Sequence, residues 1–381
     1  MKIIYTLLVL ILTISGHSQK TTEEVTSAKL NRTRQISISL PAAYEKEPDR
    51  EFPILVVLDA EYLFDAFSGA LSYANYWDDL PPMIVVGIHQ NANGERFDDS
   101  AFSSETGLPE GSGANFFEFI GAELLPAIEK KYRVAPFRII AGHDTTAGFI
   151  NFFLYKDQPL FNAYISLSPE MEDQMPERIS QRLSVAKTPI FYYQATADGD
   201  VKRIRKNVEA LDSAIKVTTN ENLKYQLDDF KNASHYSLVL HAIPNSLYHI
   251  FSVYQPISTS EFQEKIVKLN GGYVDYLVTK YDGIDKALGI KMPVRLTDFK
   301  AIEAAILKNN AYAEFEKLAD ISKKNYPKSM LADYQLGMMY EHQNDYKKAF
   351  RHYQNAFSKN EIGDLTRDMM LEKANEMKLK Q

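Results

Sequence analysis

Six consecutive residues, Gly142-His143-Asp144-Thr145-Thr146-Ala147, stand where chemistry is most expected. They follow a buried-looking apolar run, Phe137 to Ala141, and lead into a helical segment from about Thr145 to Tyr155. A strand that turns sharply into a helix presents its apex residue at strained backbone angles. Small residues are needed two before and two after the apex, because strand and helix pass closely there. Gly142 meets the first requirement; Thr146, β-branched, departs from the second. The apex itself is Asp144, a carboxylate that is ionised near neutral pH. His143 beside it reads more readily as a packing and hydrogen-bonding residue than as a catalyst.

Short apolar runs alternate with helical segments from about Gln35 to Pro256 and must position this turn. Pro53–Leu58 and Met83–Ile88 are continuous apolar runs, as in strands buried on both faces. Ile36, Ile38 and Leu40 alternate with polar residues, as in a half-exposed strand. Phe161–Leu167, Pro189–Gln194 and Leu223–Leu227 complete the strands. Helical periods cover Phe116–Tyr132, Val201–Ile215 and Ser237–Tyr254. The alternation predicts an α/β fold with a mostly parallel sheet covered on both faces. Ligands in such sheets sit beyond the carboxyl ends of the strands.

Residues 257–294 are helix-forming but interrupted by Gly271, Gly272, Gly283 and Gly289, which predicts a helical connector. Residues 295–381 carry an internal period. Leu336, Gly337, Tyr340, Tyr346, Ala349, Tyr353 and Ala356 have the spacing of a tetratricopeptide-like repeat, echoed about 34 residues earlier by Ile302, Ile306 and Tyr312. Leu365–Leu379 would cap a small all-α module. Two repeats bury little core alone, so the module is expected to pack on the first domain or on a protein partner.

The chain from about Arg34 to Pro256 resembles the putative esterase family, with its siderophore esterases, of the α/β-hydrolase superfamily. The resembling segments are Ile84–Ile88 followed by Arg96, the run FFEFIGAELLPAIEKKY over 116–132, Arg138 to Asp144, and FNAYISLSP over 161–169. Members commonly read G-H-S-x-G-G where this chain reads G-H-D-T-T-A. The resemblance implies an α/β-hydrolase fold and matches His235 to the family's histidine before the last helix. It places the orienting acid at Asp198 or Asp200. Oxyanion donors would be the Thr145 N–H and one from the Asp59-Ala60 loop, with Arg96 and His143 near the pocket.

Three readings of Asp144 follow. In the first the site is degenerate and serves binding, three departures in one tight motif suggesting relaxed constraint. Asp144 could instead be a carboxylate nucleophile with His235 activating water, as in haloalkane dehalogenases and epoxide hydrolases. Or the arrangement differs, with Thr145 as nucleophile or Asp144 as base or metal ligand. Each residue also has a structural reading: Asp200 as a helix N-cap, Asp198 as a turn residue, Arg96 as one end of a salt bridge. An ester-like small molecule is the expected ligand. Besides a binding protein and an enzyme, the third class for the whole chain is a scaffold in which only the repeats matter.

Composition narrows these classes. The 381 residues contain no cysteine, which excludes disulfides, thiolate zinc sites and a cysteine nucleophile. No phosphate-binding glycine motif or trusted metal-ligand spacing is present, so no cofactor and no metal are expected. The net charge of −7 argues against nucleic acid as a partner. Residues 1–19 have the charged start, apolar middle and small polar exit of a signal peptide, implying export to the periplasm or beyond. Twelve apolar residues, Ile3 to Ile14, reach roughly 18 Å as a helix, short of a bilayer core. No other stretch approaches a membrane span.

Overall fold

The computed structural model describes residues 20–381; the segment read as a signal peptide, 1–19, lies outside the described residues. Eight strands form one sheet: β1 (Lys20–Ser27), β2 (Arg32–Ser39), β3 (Phe52–Val57), β4 (Ile84–Ile88), β5 (Val134–His143), β6 (Ala163–Leu167), β7 (Ile190–Gly199) and β8 (Leu223–Ser234). Their order is β1-β2-β4-β3-β5-β6-β7-β8. β1 and β2 pair antiparallel, as do β2 and β4. From β4 through β3, β5, β6 and β7 to β8 every pairing is parallel.

The continuous apolar runs are explained by two cores, one on each face. Side chains alternate across a strand. Ile54 and Val56 of β3 enter one core with Ile84, Val86 and Ile140. Leu55 and Val57 enter the other with Val85, Ile139 and Ala141. All of β3 is buried, and each such Ile, Leu or Val contributes about 1.5–3 kcal/mol.

The helical period over 116–132 is one continuous rod in three parts: α-helix Ser112–Glu118, a π-helical turn Phe119–Leu124 and α-helix Leu125–Lys131. Two helices that the sequence pattern did not mark, Ala60–Tyr76 and Met175–Ser184, pack on opposite faces of the sheet.

The C-terminal region is all-helical, as expected for a tetratricopeptide-like module. Helices Leu296–Lys308 and Glu314–Asn325 form one pair, Leu331–His342 and Tyr346–Phe357 a second, followed by Arg367–Leu379. Gly337 lets the second pair close: a Cβ there would lie 2.5 Å from the Tyr353 ring. These helices share a third core.

Helix Tyr273–Leu288, in the segment expected as a connector, belongs to two cores. Tyr273, Val274 and Leu277 are buried with the C-terminal helices, whereas Ile284 and Leu288 are buried against the sheet domain. A polar latch reinforces the junction. Arg295 Nε donates to Asp78 Oδ2 at 2.5 Å, and its guanidinium lies 4.3 Å from the centre of the Tyr254 ring. Among the described residues no helix is long and apolar enough to cross a membrane.

Candidate active site

β5 delivers the turn beyond its carboxyl end. Asp144 has φ 59° and ψ −119°, outside the regions comfortable for an L-residue, at a cost of order 1–3 kcal/mol. The surroundings hold it there. Its N–H donates to Leu167 O at 2.9 Å, and its carbonyl accepts from Gly148 N and Glu170 N at 3.1 and 3.0 Å. A Cβ on Gly142 would come within 2.7 Å of the Thr146 carbonyl carbon, so only glycine fits. Helix Thr145–Phe149 follows and continues as 3₁₀ helix to Tyr155.

His235 comes from the loop after β8. Its Nδ1 is 2.8 Å from Asp200 Oδ1, and its Nε2 is 3.9 Å from Asp144 Oδ1. The Asp200 carboxylate is fully buried. It accepts from Thr196 Oγ1 at 2.7 Å and Ala197 N at 2.9 Å, and Ser168 Oγ lies 2.8 Å from both its oxygens. Burial alone would raise the Asp200 pKa, but hydrogen bonds from His235, Thr196, Ala197 and Ser168 hold it below the ordinary value. The hydrogen bond to Asp200 raises the His235 pKa against the opposing effect of burial, and the Asp144 charge adds to it.

Of the two aspartates that the resemblance offered as partner to His235, Asp200 is the one that meets it. Asp198 is half exposed, accepts from Asn232 N at 3.1 Å and pairs with Lys231 and Arg205, away from His235. Nor is Asp200 a helix cap: Val201 holds that position for helix Lys202–Lys216.

Arg96 enters from helix Glu95–Asp99, which is fixed to β2 by buried Arg34. Arg34 Nη1 donates to Glu95 at 2.8 Å and Nη2 to Asp99 at 2.9 Å. The Arg96 guanidinium grips Asp59 at both oxygens, Nε–Oδ1 2.7 Å and Nη2–Oδ2 3.3 Å. Its Nη1 reaches Asp144 Oδ2 at 3.3 Å and its Nη2 donates to His143 O at 2.8 Å. Burial alone would lower the Arg96 pKa, but Asp59, with Asp144 behind it, raises it above its ordinary value.

Thr146 is not a slackened position. It is fully buried, and its hydroxyl donates to Asp59 Oδ2 at 2.6 Å while accepting from His143 N at 3.0 Å. The departure from a small residue is thus matched by a carboxylate at 59 built to receive it. Asp59, at φ 53°, gives its own N–H to Gln90 Oε1 at 3.1 Å, which takes that N–H out of any oxyanion hole. Ala60, the first residue of the following helix, and Thr145, the first after the elbow, are left as the backbone candidates from the two loops.

His143 is a support. Burial, then the charge of His235, lowers its pKa to about 4. The neutral ring donates from Nε2 to His235 O at 3.1 Å, leaving Nδ1 to face Tyr62 OH at 3.1 Å. Beyond Thr145 opens a cleft of about 340 Å³ lined by Phe97, Phe102, Phe149, Phe152 and Met175, with Glu170 and Arg203 paired at its side. The Thr145 hydroxyl is 3.2 Å from Glu170 Oε2. Sequence reading missed Tyr62, Gln90, Glu170 and Arg203 altogether. Among the described residues, no three His, Asp or Glu side chains are grouped to share a metal ion.

Comparison with known proteins places the chain. A family model described as Putative esterase matches residues 27–238. Ferri-bacillibactin esterase BesA of Bacillus subtilis is 24% identical over 243 residues, covering 56% of this chain and 83% of that protein. An uncharacterised protein from Capnocytophaga ochracea superimposes with TM-score 0.85 at 30% identity, over 95% of this chain and all of the other. An IroE-like serine hydrolase from Shewanella oneidensis shares the fold, with TM-score 0.59 at 18% identity over 88% of this chain and 98% of its own.

Proposed function

Because this chain belongs to the putative esterase family, we propose that it binds an ester-like small molecule beside the elbow without serine-type turnover, Asp144 standing where a working member carries its attacking serine. One observation carries this reading: Arg96 lies across Asp59 and Asp144 and makes the apex carboxylate one arm of an ion-pair network. In a serine hydrolase the histidine takes a proton from the attacking hydroxyl. An ionised carboxylate has no such proton, and loss of the nucleophile costs roughly 10⁶ in rate. What persists is a binding site, with the Asp200–His235 pair intact and the phenylalanine-lined cleft suited to an aromatic or acyl group.

A second reading has Asp144 as a carboxylate nucleophile. It is favoured by His235 Nε2 facing Asp144 Oδ1 at 3.9 Å, with Asp200 behind the ring. Asp144 would attack the substrate carbon and expel its leaving group as an anion, giving an enzyme-bound ester, or a mixed anhydride where the carbon is an ester carbonyl. His235 would then take a proton from the water that attacks this intermediate, releasing product and restoring the carboxylate. The bridge to Arg96 opposes it, since a carboxylate neutralised by a guanidinium is a poorer nucleophile.

Hydrolysis of short p-nitrophenyl esters by wild type, Asp144→Asn and Asp144→Ser separates the two. Turnover gained only in Asp144→Ser supports the binding reading; turnover present in wild type and lost in Asp144→Asn overturns it. Export, argued from residues 1–19, and a protein partner for the C-terminal helices belong to the same proposal. Cell fractionation and pulldown with the C-terminal helices removed test them.

A further inference from the structure

A separate cavity of about 240 Å³ lies in the C-terminal helical region. The first helix of each pair lines it, with the loop 362–365 closing one side. Its walls are apolar, chiefly Phe299, Leu331, Leu365 and Met369. Two carboxyl groups stand among them, those of Glu303 and Asp364, and only Asp364 is paired with a lysine. Gln335 Nε2 donates to Glu303 Oε1 at 2.6 Å, and Ser322 Oγ donates to Gln335 Oε1 at 2.7 Å. Ser322 and Gln335 are fully buried, so this relay fixes the carboxyl from behind. The other oxygen, Oε2, takes no hydrogen bond from the described residues. Glu303 is only partly buried, and Oε2 is not one of the buried atoms left without a partner, so this oxygen stays accessible to an incoming donor. The other charged groups facing it are Lys300 on its own helix and Asp364 on the loop, paired to each other at 2.8 Å and both more than half exposed; Tyr334, on the second pair, is the remaining titratable neighbour. With Lys300 and Asp364 offsetting each other, Glu303 decides the sign of the cavity.

We propose that this cavity binds a primary ammonium group carried on an aliphatic stem, the ammonium on Glu303 Oε2 and the stem against Phe299, Leu331 and Leu365. The chemistry fits either a free alkylamine or a lysine side chain. Burial pushes the Glu303 pKa up to about 7, against the weaker pull of Gln335 and Lys300. Binding that needs the ionised carboxylate therefore strengthens by about tenfold between pH 6 and pH 8.

The test is NMR of the full chain labelled at its methionine methyls, with Met369 on the cavity wall as reporter. The probes are n-butylammonium, Nα-acetyl-lysine methylamide and, as neutral isostere, n-butanol. Expected is a saturable Met369 shift with n-butylammonium, about tenfold weaker at pH 6 than at pH 8 and lost in Glu303→Gln. A matching response to the lysine derivative assigns the source to a protein side chain; its absence assigns it to a free amine. No Met369 shift with either cation, an equal response to n-butanol, or an undiminished response in Glu303→Gln overturns the proposal. Glu303→Gln keeps the acceptor for Gln335, and the remaining methionine signals report whether that variant is folded.

Discussion

Replacing Arg96 by methionine tests whether the elbow is held by the ion-pair network. Methionine keeps an apolar stem and removes the guanidinium. Asp59, whose side chain is fully buried, then loses both contacts to Arg96, and Asp144 loses one. Breaking a buried pair by deleting one partner costs about 3–5 kcal/mol, because a charge is left uncompensated. Hydroxyls from Thr146 and Tyr62 still serve Asp59, at 2.6 and 3.0 Å, which places the expected loss at the low end, about 3 kcal/mol. At roughly 2–4 °C per kcal/mol for a domain of this size, the midpoint should fall by about 6–12 °C. Urea unfolding followed by far-UV circular dichroism gives the free energy, and scanning calorimetry the midpoint. The double variant Arg96→Met with Asp59→Asn should be more stable than the sum of the singles by at least about 1 kcal/mol, since the stranded charge is gone. A single variant within about 0.5 kcal/mol of wild type, or strict additivity in the pair, refutes the network as a structural clamp.

The same geometry gives further expectations. In a histidine NMR titration, His143 should titrate near 4 and His235 above the ordinary imidazole value of about 6.5. Asp144→Asn should lower the His235 midpoint, because a carboxylate that favours the imidazolium is removed; an unchanged midpoint counts against the 3.9 Å pairing. The depressed His143 pKa means that the folded protein binds fewer protons than the unfolded chain between about 6.5 and 4. Stability from this group is therefore full above that window and falls through it by about 3 kcal/mol, readable as acid-dependent urea midpoints that flatten in His143→Gln. Gly142→Ala should destabilise by about 2 kcal/mol or more, since its Cβ meets backbone that cannot retreat, and refolded protein with wild-type stability would contradict the packing of the elbow. Arg34→Met should cost about 3 kcal/mol in urea unfolding, the low end for a broken buried pair, since Asp99 keeps Arg32 at 3.4 Å and Gln90 Nε2 at 3.0 Å.

The parallel strands were legible because strands buried on both faces must be apolar throughout, as Pro53–Leu58 and Met83–Ile88 are. β1 was not, because KTTEEVTS is an edge strand with only Ser27 fully buried and carries no apolar alternation. Helix Met175–Ser184 escaped notice because only Met175, Pro176, Ile179 and Leu183 mark its buried side. The elbow was legible from a strand running into Gly142 and a helix. Which of Asp198 and Asp200 faces His235 was not, because both sit at the end of β7 and the bend at Gly199, where a Cβ would come within 2.6 Å of Ser234, decides the direction. Asp59 looked like a backbone donor; its carboxylate matters more, and its link to Thr146 joins residues 87 positions apart, which no local pattern encodes.

Helix Tyr273–Leu288 has a bearing on how length can vary in this chain. Each added residue turns an α-helix by about 100° and advances it 1.5 Å. One insertion midway along it would leave Tyr273, Val274 and Leu277 seated and swing Ile284 and Leu288 toward solvent, or the reverse. The stretch behaves as a keyed shaft between two housings. Spacing between its ends tolerates change only in near-whole turns of three or four residues, and then only with a matching shift at the Asp78–Arg295 contact.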